Sequence, residues 1–480
     1  MLFITIVISF IIAALVPVLF KNRRTIASTS LAASFVSLAA SVLIARRVAA
    51  TGSYSPSVLF TIDALAAVVM LVVSVVAFMT AVYSVSYFNK EMSKKIIGLS
   101  RVRQYYALVN LFVAAMFMAA AASHPVTAWI FLEATTLSTA FLISFYNRAS
   151  TIEAAWKYLI INAVGLLLAF LGTLLYFTAV DAGSGFVSWQ ALLDNVNHLS
   201  PDVVKIAFVF VLVGYGTKIG LAPMHTWKPD TYSKSPAPLG ALLSSALMPV
   251  AFAIMLRFKA ITDVAVGQAF SQRLLIVFGL LSILIAAFSI LTVKNYKRLL
   301  AYSSIEHAGI MMLGFGFGGI GPFAALLHMI YHSFIKSSLF FTTGNLLLKY
   351  HSAHINKIRA AISVLPATSA LFFVGLFAIT GFPPFGIFLT ELSTLSAGTA
   401  AHKVIVAVAL FAIAVVFIGF FRQASRMIFS QPPEKSELQP GENNPWLLIP
   451  PIAMLVIVLV ITFYMPPFVQ TLIHTAVARY

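Results

Sequence analysis

The chain has 480 residues, 60% of them hydrophobic and 9% charged, with apolar runs recurring along its whole length, which makes it a polytopic helical membrane protein and excludes a globular enzyme. It has no cysteine, so thiolate-held iron–sulfur clusters, disulfides and thiol catalysis are excluded, and any electron transfer must take place on other chains. A formal net charge of +17 would fit nucleic acid or an anionic substrate only if the basic residues gathered on one surface, and their positions must be read first.

In chain order, fourteen spans can be drawn, starting near residues 2, 26, 57, 105, 126, 156, 205, 237, 274, 299, 322, 366, 403 and 446. The opening run Met1 to Phe20 lacks a positive n-region and a small-residue cleavage site, so it reads as a retained first helix. Two polar stretches stand out. Asp181 to Asp202 surrounds an amphipathic VSWQALLDNV expected to lie on the outer membrane surface, and QPPEKSELQPGENNP before the last span reads as a mobile linker.

The seventh span is interrupted at TKIGLAP (Thr217 to Pro223) and the twelfth at TGFPPFG (Thr380 to Gly386). Paired interruptions at corresponding positions point to a transport site built from inverted repeats. Spans 4 to 8 and 9 to 13 would form two five-helix units, and the odd helix number turns the second upside down. The expected fold is all-α and polytopic, with about 14 transmembrane helices, two inverted five-helix repeats and broken helices 7 and 12. The expected segments are 1–104 (three helices), 105–258 (first repeat), 259–429 (second repeat) and 430–480 (linker and last helix).

On this drawing, loops after odd spans carry 21 of the 31 Lys and Arg, even loops and the C-terminal tail carry 8, and Lys218 and Lys336 alone fall inside spans. The positive excess is therefore topological and calls for no nucleic acid. It predicts odd loops in the cytoplasm and both termini outside.

Lys218 lies near the middle of Val203 to Pro223, where an ionised lysine costs about 2.5 to 3.5 kcal/mol and usually marks an ion path; the alternative is a lysine that snorkels to the surface. Glu133 (WIFLEATTL), Glu306 (SSIEHAGIM) and Glu391 (FLTELSTL) also fall within spans, with Asp63 (FTIDALA) nearer an outer end. HMIYHSFIKSS places His328, His332 and Lys336 four residues apart on one helix face, and His307 follows Glu306. Zinc patterns with histidines at this spacing add a glutamate or cysteine absent from this segment, and no nucleophile elbow accompanies SSIEH. A proton relay fits these residue types better, since His titrates near neutrality and burial tunes Lys and Glu. The bland alternatives are that Glu306 neutralises Lys297 or Arg298, and that Asp63 ends a helix.

KIGLAPMHTWKPDTYSKSPAPLGALL (Lys218 to Leu243), KRLLAYSSIEHAGIM (Lys297 to Met311), HMIYHSFIKSSLFFTTGN (His328 to Asn345) and TGFPPFGIFLTEL (Thr380 to Leu392) resemble helices 7, 10, 11 and 12 of the antiporter-like membrane subunits shared by respiratory complex I, multisubunit cation/proton antiporters and energy-converting hydrogenases. The resemblance runs from about residue 57 to about 430, and its wording is most similar to the formate-hydrogenlyase, hydrogenase-4 type. It implies a proton path through Glu133 and Lys218, then Lys336 and Glu391, with Glu306, His307, His328 and His332 beside it. Where many members carry a His or Lys in helix 8, this chain has Ser244 in ALLSSALMP, which would leave His328 or His332 to bridge. The implied protein is a proton-translocating subunit without redox cofactor or metal in a prokaryotic cell membrane. Its partners would be the other membrane and peripheral subunits of a redox complex, most similar to nickel–iron hydrogenase and iron–sulfur subunits. A sodium/proton antiporter, an inorganic-carbon uptake system and a non-pumping scaffold are the alternatives.

Overall fold

A computed structural model describes residues 1–179, 187–431, 438–442 and 444–480; Asp181, Lys435 and about half of the proline-rich stretch before the last span lie outside them. The chain begins with α1 (Leu2–Leu19), α2 (Arg23–Thr51), α3 (Ala64–Ser93), α4 (Leu99–Ala121), α5 (Pro125–Ile143) and α6 (Ala149–Tyr176). The broken α7a (Pro201–Ile219) and α7b (Trp227–Lys234) follow, then α8 (Ala237–Val266), α9 (Gln268–Ile290), α10 (Tyr296–Phe317) and α11 (Gly321–Tyr350). The second broken pair is α12a (Pro366–Ile379) and α12b (Gly386–Gly398), before α13 (Lys403–Ile428), α14 (Ile449–Phe463) and α15 (Pro467–Val477).

Two boundaries differ from the sequence expectation. The third span starts at Ala64 and not near residue 57, because the polar TGSYSPSV run pairs as an antiparallel hairpin of β1 (Ser53–Ser57) and β2 (Phe60–Asp63). Pairing satisfies backbone groups that serines and a proline would leave poorly placed in a helix. Asp63 ends the hairpin and caps α3: its Oδ1 accepts the Ala66 amide at 2.9 Å, while Arg257 of α8 donates to both carboxylate oxygens at 2.8 and 2.9 Å. Burial pushes the Asp63 carboxyl up, but Arg257 and the Ala66 amide outweigh it and hold it below the usual carboxylate range. The helix-end role is thus what the geometry gives. At the other end of the chain, Pro466 and Pro467 split the expected last span, and α15 folds back with Leu472, Ile473 and Ala476 buried against α3 and α2.

The described part of the stretch between α6 and α7a packs on the bundle. Ser188 caps a short Trp189–Asp194 helix, and Trp189 is buried, donating Nε1 to the Ala122 carbonyl at 2.9 Å and meeting Phe258 edge-on.

Burial is graded from the middle outward. The hydrophobic heart of α8 is buried throughout, and α10 and α11 nearly so, whereas α5, α6, α9 and α13 expose large apolar residues such as Ile130, Phe141, Leu167, Phe288 and Phe411. In water such surfaces would be a liability; in a bilayer they are the lipid contact. Glycines bring some helices to backbone contact. A Cβ on Gly214 of α7a would sit 2.5 Å from the Ala169 nitrogen of α6, and one on Gly279 of α9 would sit 2.8 Å from the Gly309 carbonyl oxygen of α10.

Candidate proton-transfer site

Both expected interruptions are present. Helix α7a stops at Gly220, which adopts φ +86°, and α12a stops just before Gly381, at φ +68°. Each break ends a helix inside the protein and brings polar side chains to its rim.

In the first half, Lys218 occupies the last turn of α7a and is 1% exposed. Its Nζ donates to Thr136 Oγ1 and to the Tyr158 hydroxyl, both at 2.9 Å, and lies 5.0 Å from the Tyr158 ring centre. The Thr136 hydroxyl in turn donates to Glu133 Oε2 at 3.1 Å. Glu133 and Lys218 therefore communicate through a threonine hydroxyl one helical turn beyond the glutamate, and not through the direct pair that the sequence implied. Snorkelling is ruled out by these contacts: the ammonium is held inside the bundle.

In the second half, the three histidines converge. His307 Nδ1 and His328 Nε2 share a hydrogen bond of 2.9 Å, His328 Nδ1 bonds Thr390 Oγ1 at 2.9 Å, and the His332 ring centre lies 5.3 Å from that of His307. Both nitrogens of His332 lack a partner among the described residues, as does Glu391 Oε1. Such open valences in a buried site are places for transferable protons or water. Lys336 Nζ donates to the Leu300 carbonyl at 2.8 Å, and Glu306 is buried within electrostatic reach of Lys336 and Glu391. Glu306 does not neutralise its basic neighbours on α10: Lys297 donates to the Ser235 carbonyl at 2.5 Å and Arg298 pairs with Asp230.

His307, His328 and Glu391 offer ligand atoms within 4.8 Å of one another, the grouping with metal-ligand spacing among the described residues. The hydrogen bond already joining the two rings and the nearby Lys336 compete with a cation there.

Sequence reasoning missed several buried groups, among them Lys259, which pairs with Asp263 at 2.5 Å. Lys228 and Lys297, counted among the loop residues, are 1% and 2% exposed; Glu91, which the sequence reading did not single out, accepts the Tyr146 hydroxyl at 2.6 Å. Lys228 carried a signal, since it stands directly after a large aromatic, Trp227, beyond the first break. Between the two halves, Ser244 of α8 bonds Ser304 of α10 at 2.9 Å, where α8 widens into a π-turn over Leu243–Leu247.

The match to known proteins runs over most of the chain. Residues 122–417 match the family described as NADH:quinone oxidoreductase/Mrp antiporter, TM, and residues 49–95 match the N-terminus of chain 5 of NADH-ubiquinone oxidoreductase (complex I). A hydrogenase-4 component F homolog from Methylacidiphilum infernorum is 31% identical over 441 residues, covering 90% of both chains. NADH-quinone oxidoreductase subunit N from Desulforudis audaxviator is 28% identical, over 74% of this chain and 72% of its own. A chain in the structure of the Mrp complex from Dietzia sp. superposes with a TM-score of 0.85 at 20% identity, covering 99% of this chain and 96% of the other, so the fold is shared. With a family match spanning the region that holds both broken helices and the buried titratable groups, the chain belongs to the antiporter-like membrane subunits of the NADH:quinone oxidoreductase/Mrp family.

Proposed function

We propose that this subunit translocates protons in a prokaryotic energy-converting membrane complex, specifically a hydrogenase of the formate-hydrogenlyase type. The observation that carries the reading is the succession of polar groups inside the bundle: half-buried Glu133, the Thr136 hydroxyl and buried Lys218 on one side, and buried Lys336, Glu306, His307, His328 and Glu391 on the other, with His332 against them. Lipid-facing helices enclose the line, so its groups exchange protons with each other before they exchange with solvent. The hydrogenase-4 relative supports the branch. On this reading residues 105–258 and 259–429 are the two inverted units, and each contributes one break and one lysine.

The energetic step is electrostatic. At an effective dielectric near 20, moving a unit charge from about 4 to about 8 Å changes its interaction by roughly 2 kcal/mol, more than a tenfold change in proton affinity. Glu133 drawn toward Lys218 favours the ammonium, and Glu133 withdrawn favours release. Purification of the complex from its native membrane should bring a nickel–iron hydrogenase pair with this chain, and vesicles containing it should take up protons during hydrogen evolution. Copurification with antiporter subunits alone would give the sodium/proton alternative, and intact assembly with no ion movement would give the scaffold.

The distribution of basic residues supports odd connections in the cytoplasm and both termini outside. Because the chain has no native cysteine, single cysteines report position directly. In intact cells, Ser93→Cys and Ser352→Cys should resist an impermeant thiol reagent while Asn197→Cys reacts; the reverse pattern would invert the orientation.

A further inference from the structure

The centre of the line poses a problem that the two halves do not solve. Helix α8 offers no base there: Ser244 is hydrogen-bonded to Ser304, and the nearby Ser245 and Ser303 hydroxyls have no partner among the described residues. Lys228 supplies a base from a different element. It sits at the start of α7b, folds back into the first break, and donates Nζ to the Ile219 carbonyl at 2.6 Å, with the Tyr232 ring centre 5.8 Å away. It lies within electrostatic reach of Lys336 and His332, and Tyr232, on its own short helix, places its hydroxyl beside Ser244. Room for the side chain is made by Gly220: a Cβ there would stand 2.6 Å from Lys228 Cδ and 2.8 Å from Nζ.

A lysine at a helix C-terminus is an ordinary cap. Two observations go beyond capping. The end of α7a is already bonded by the Gly220 and Leu221 amides to Gly216 and by Trp227 Nε1 to the Thr217 carbonyl. The corresponding end of α12a is closed by the Thr380 and Phe382 amides, with no lysine donating to it among the described residues. The fold thus closes one break without a buried cation, and at the other it holds one next to the seam between the halves.

We propose that Lys228 is the central proton carrier of this chain, standing in for the base that α8 lacks. Resting on the proton-translocation reading above, the step is a transfer between amines: an N–H bond of the Lys218 ammonium breaks as one forms on the Lys228 amine, and the same proton then passes to the Lys336 amine. The Tyr232, Ser244 and Ser304 hydroxyls lie along the second transfer. Lys228 is then again the amine; Lys218 recovers its ammonium by taking a proton from the Glu133 side, and Lys336 returns to the amine by passing its proton on toward Glu391.

The test uses the intact complex in vesicles and reads protons taken up per electron pair transferred. Lys228→Gln keeps a donor for the Ile219 carbonyl but cannot carry a proton, and Lys228→Arg keeps charge and donors but does not release one. Both should assemble and lower the ratio about tenfold or more. Adding Ser244→His to Lys228→Gln should restore part of it by returning a base to α8. Normal pumping in either single variant, or failure of both to assemble, would overturn the proposal and leave Lys228 a cap. Lys218→Met is the control for the underlying reading: if it pumps normally, translocation itself is wrong, whereas if it is dead while Lys228→Gln pumps, only the role of Lys228 falls.

Discussion

Replacing Lys218 by methionine is expected to abolish proton movement while the complex still assembles. The buried ammonium is the donor that joins Thr136 and Tyr158, so its loss cuts the first half of the line at its deepest point. Glu133, half-buried and bonded to Thr136, can remain neutral at modest cost once its counter-charge is gone, which spares the fold. Protons per electron pair should fall by about two orders of magnitude, the usual scale for removing a proton-transfer group. Glu133→Gln should give a partial loss with a shifted pH optimum, because the lysine keeps its hydroxyl partners but loses the nearby charge. The double variant should be no worse than Lys218→Met alone, since both act on one step. Additive losses in that cycle would separate the two residues into different steps and dissolve the relay.

Glu391→Gln should produce the other large effect. The residue projects from α12b so that its Oε2 stands where a Cβ on Gly381 would fall, which places the carboxylate in the mouth of the second break. The amide keeps the volume but cannot ionise, so assembly should persist while protons per electron pair drop about tenfold or more. Gly381→Ala should reproduce part of that loss with the carboxylate intact, by pushing it out of the break. If Glu391→Gln pumps normally, or if it prevents assembly, the carboxylate is structural.

The sequence disclosed the helical membrane class because lipid leaves the backbone few options, and it disclosed both breaks because Gly and Pro punctuate a helix wherever they occur. Lys218, Lys336 and Glu391 were legible for a related reason: each interrupts an apolar run, and the motifs around them resemble a known family. Lys228 was only faintly marked, by Trp227 before it, because its burial depends on α7b folding back into the first break, a turn that local pattern does not report. Thr136 was missed because a threonine in a span reads as a filler, and only the meeting of α5, α6 and α7a makes it a bridge. The hairpin before α3 and the final α15 were missed where short polar or proline-bearing runs had been absorbed into neighbouring spans.

The glycine contacts carry a mechanical consequence. Where α7a meets α6 at Gly214 and Ala169, and α9 meets α10 at Gly279 and Gly309, backbone stands against backbone with no side chains between to act as bearings. Helices engaged in this way have their separation set by backbone contact, so any added side chain at Gly214 or Gly279 would force the walls that hold Lys218 and His307 apart. On the proposed function, a close-set frame of this kind lets changes of charge and side-chain rotation act without wholesale helix movement, much as a voltage gates a transistor with no moving parts.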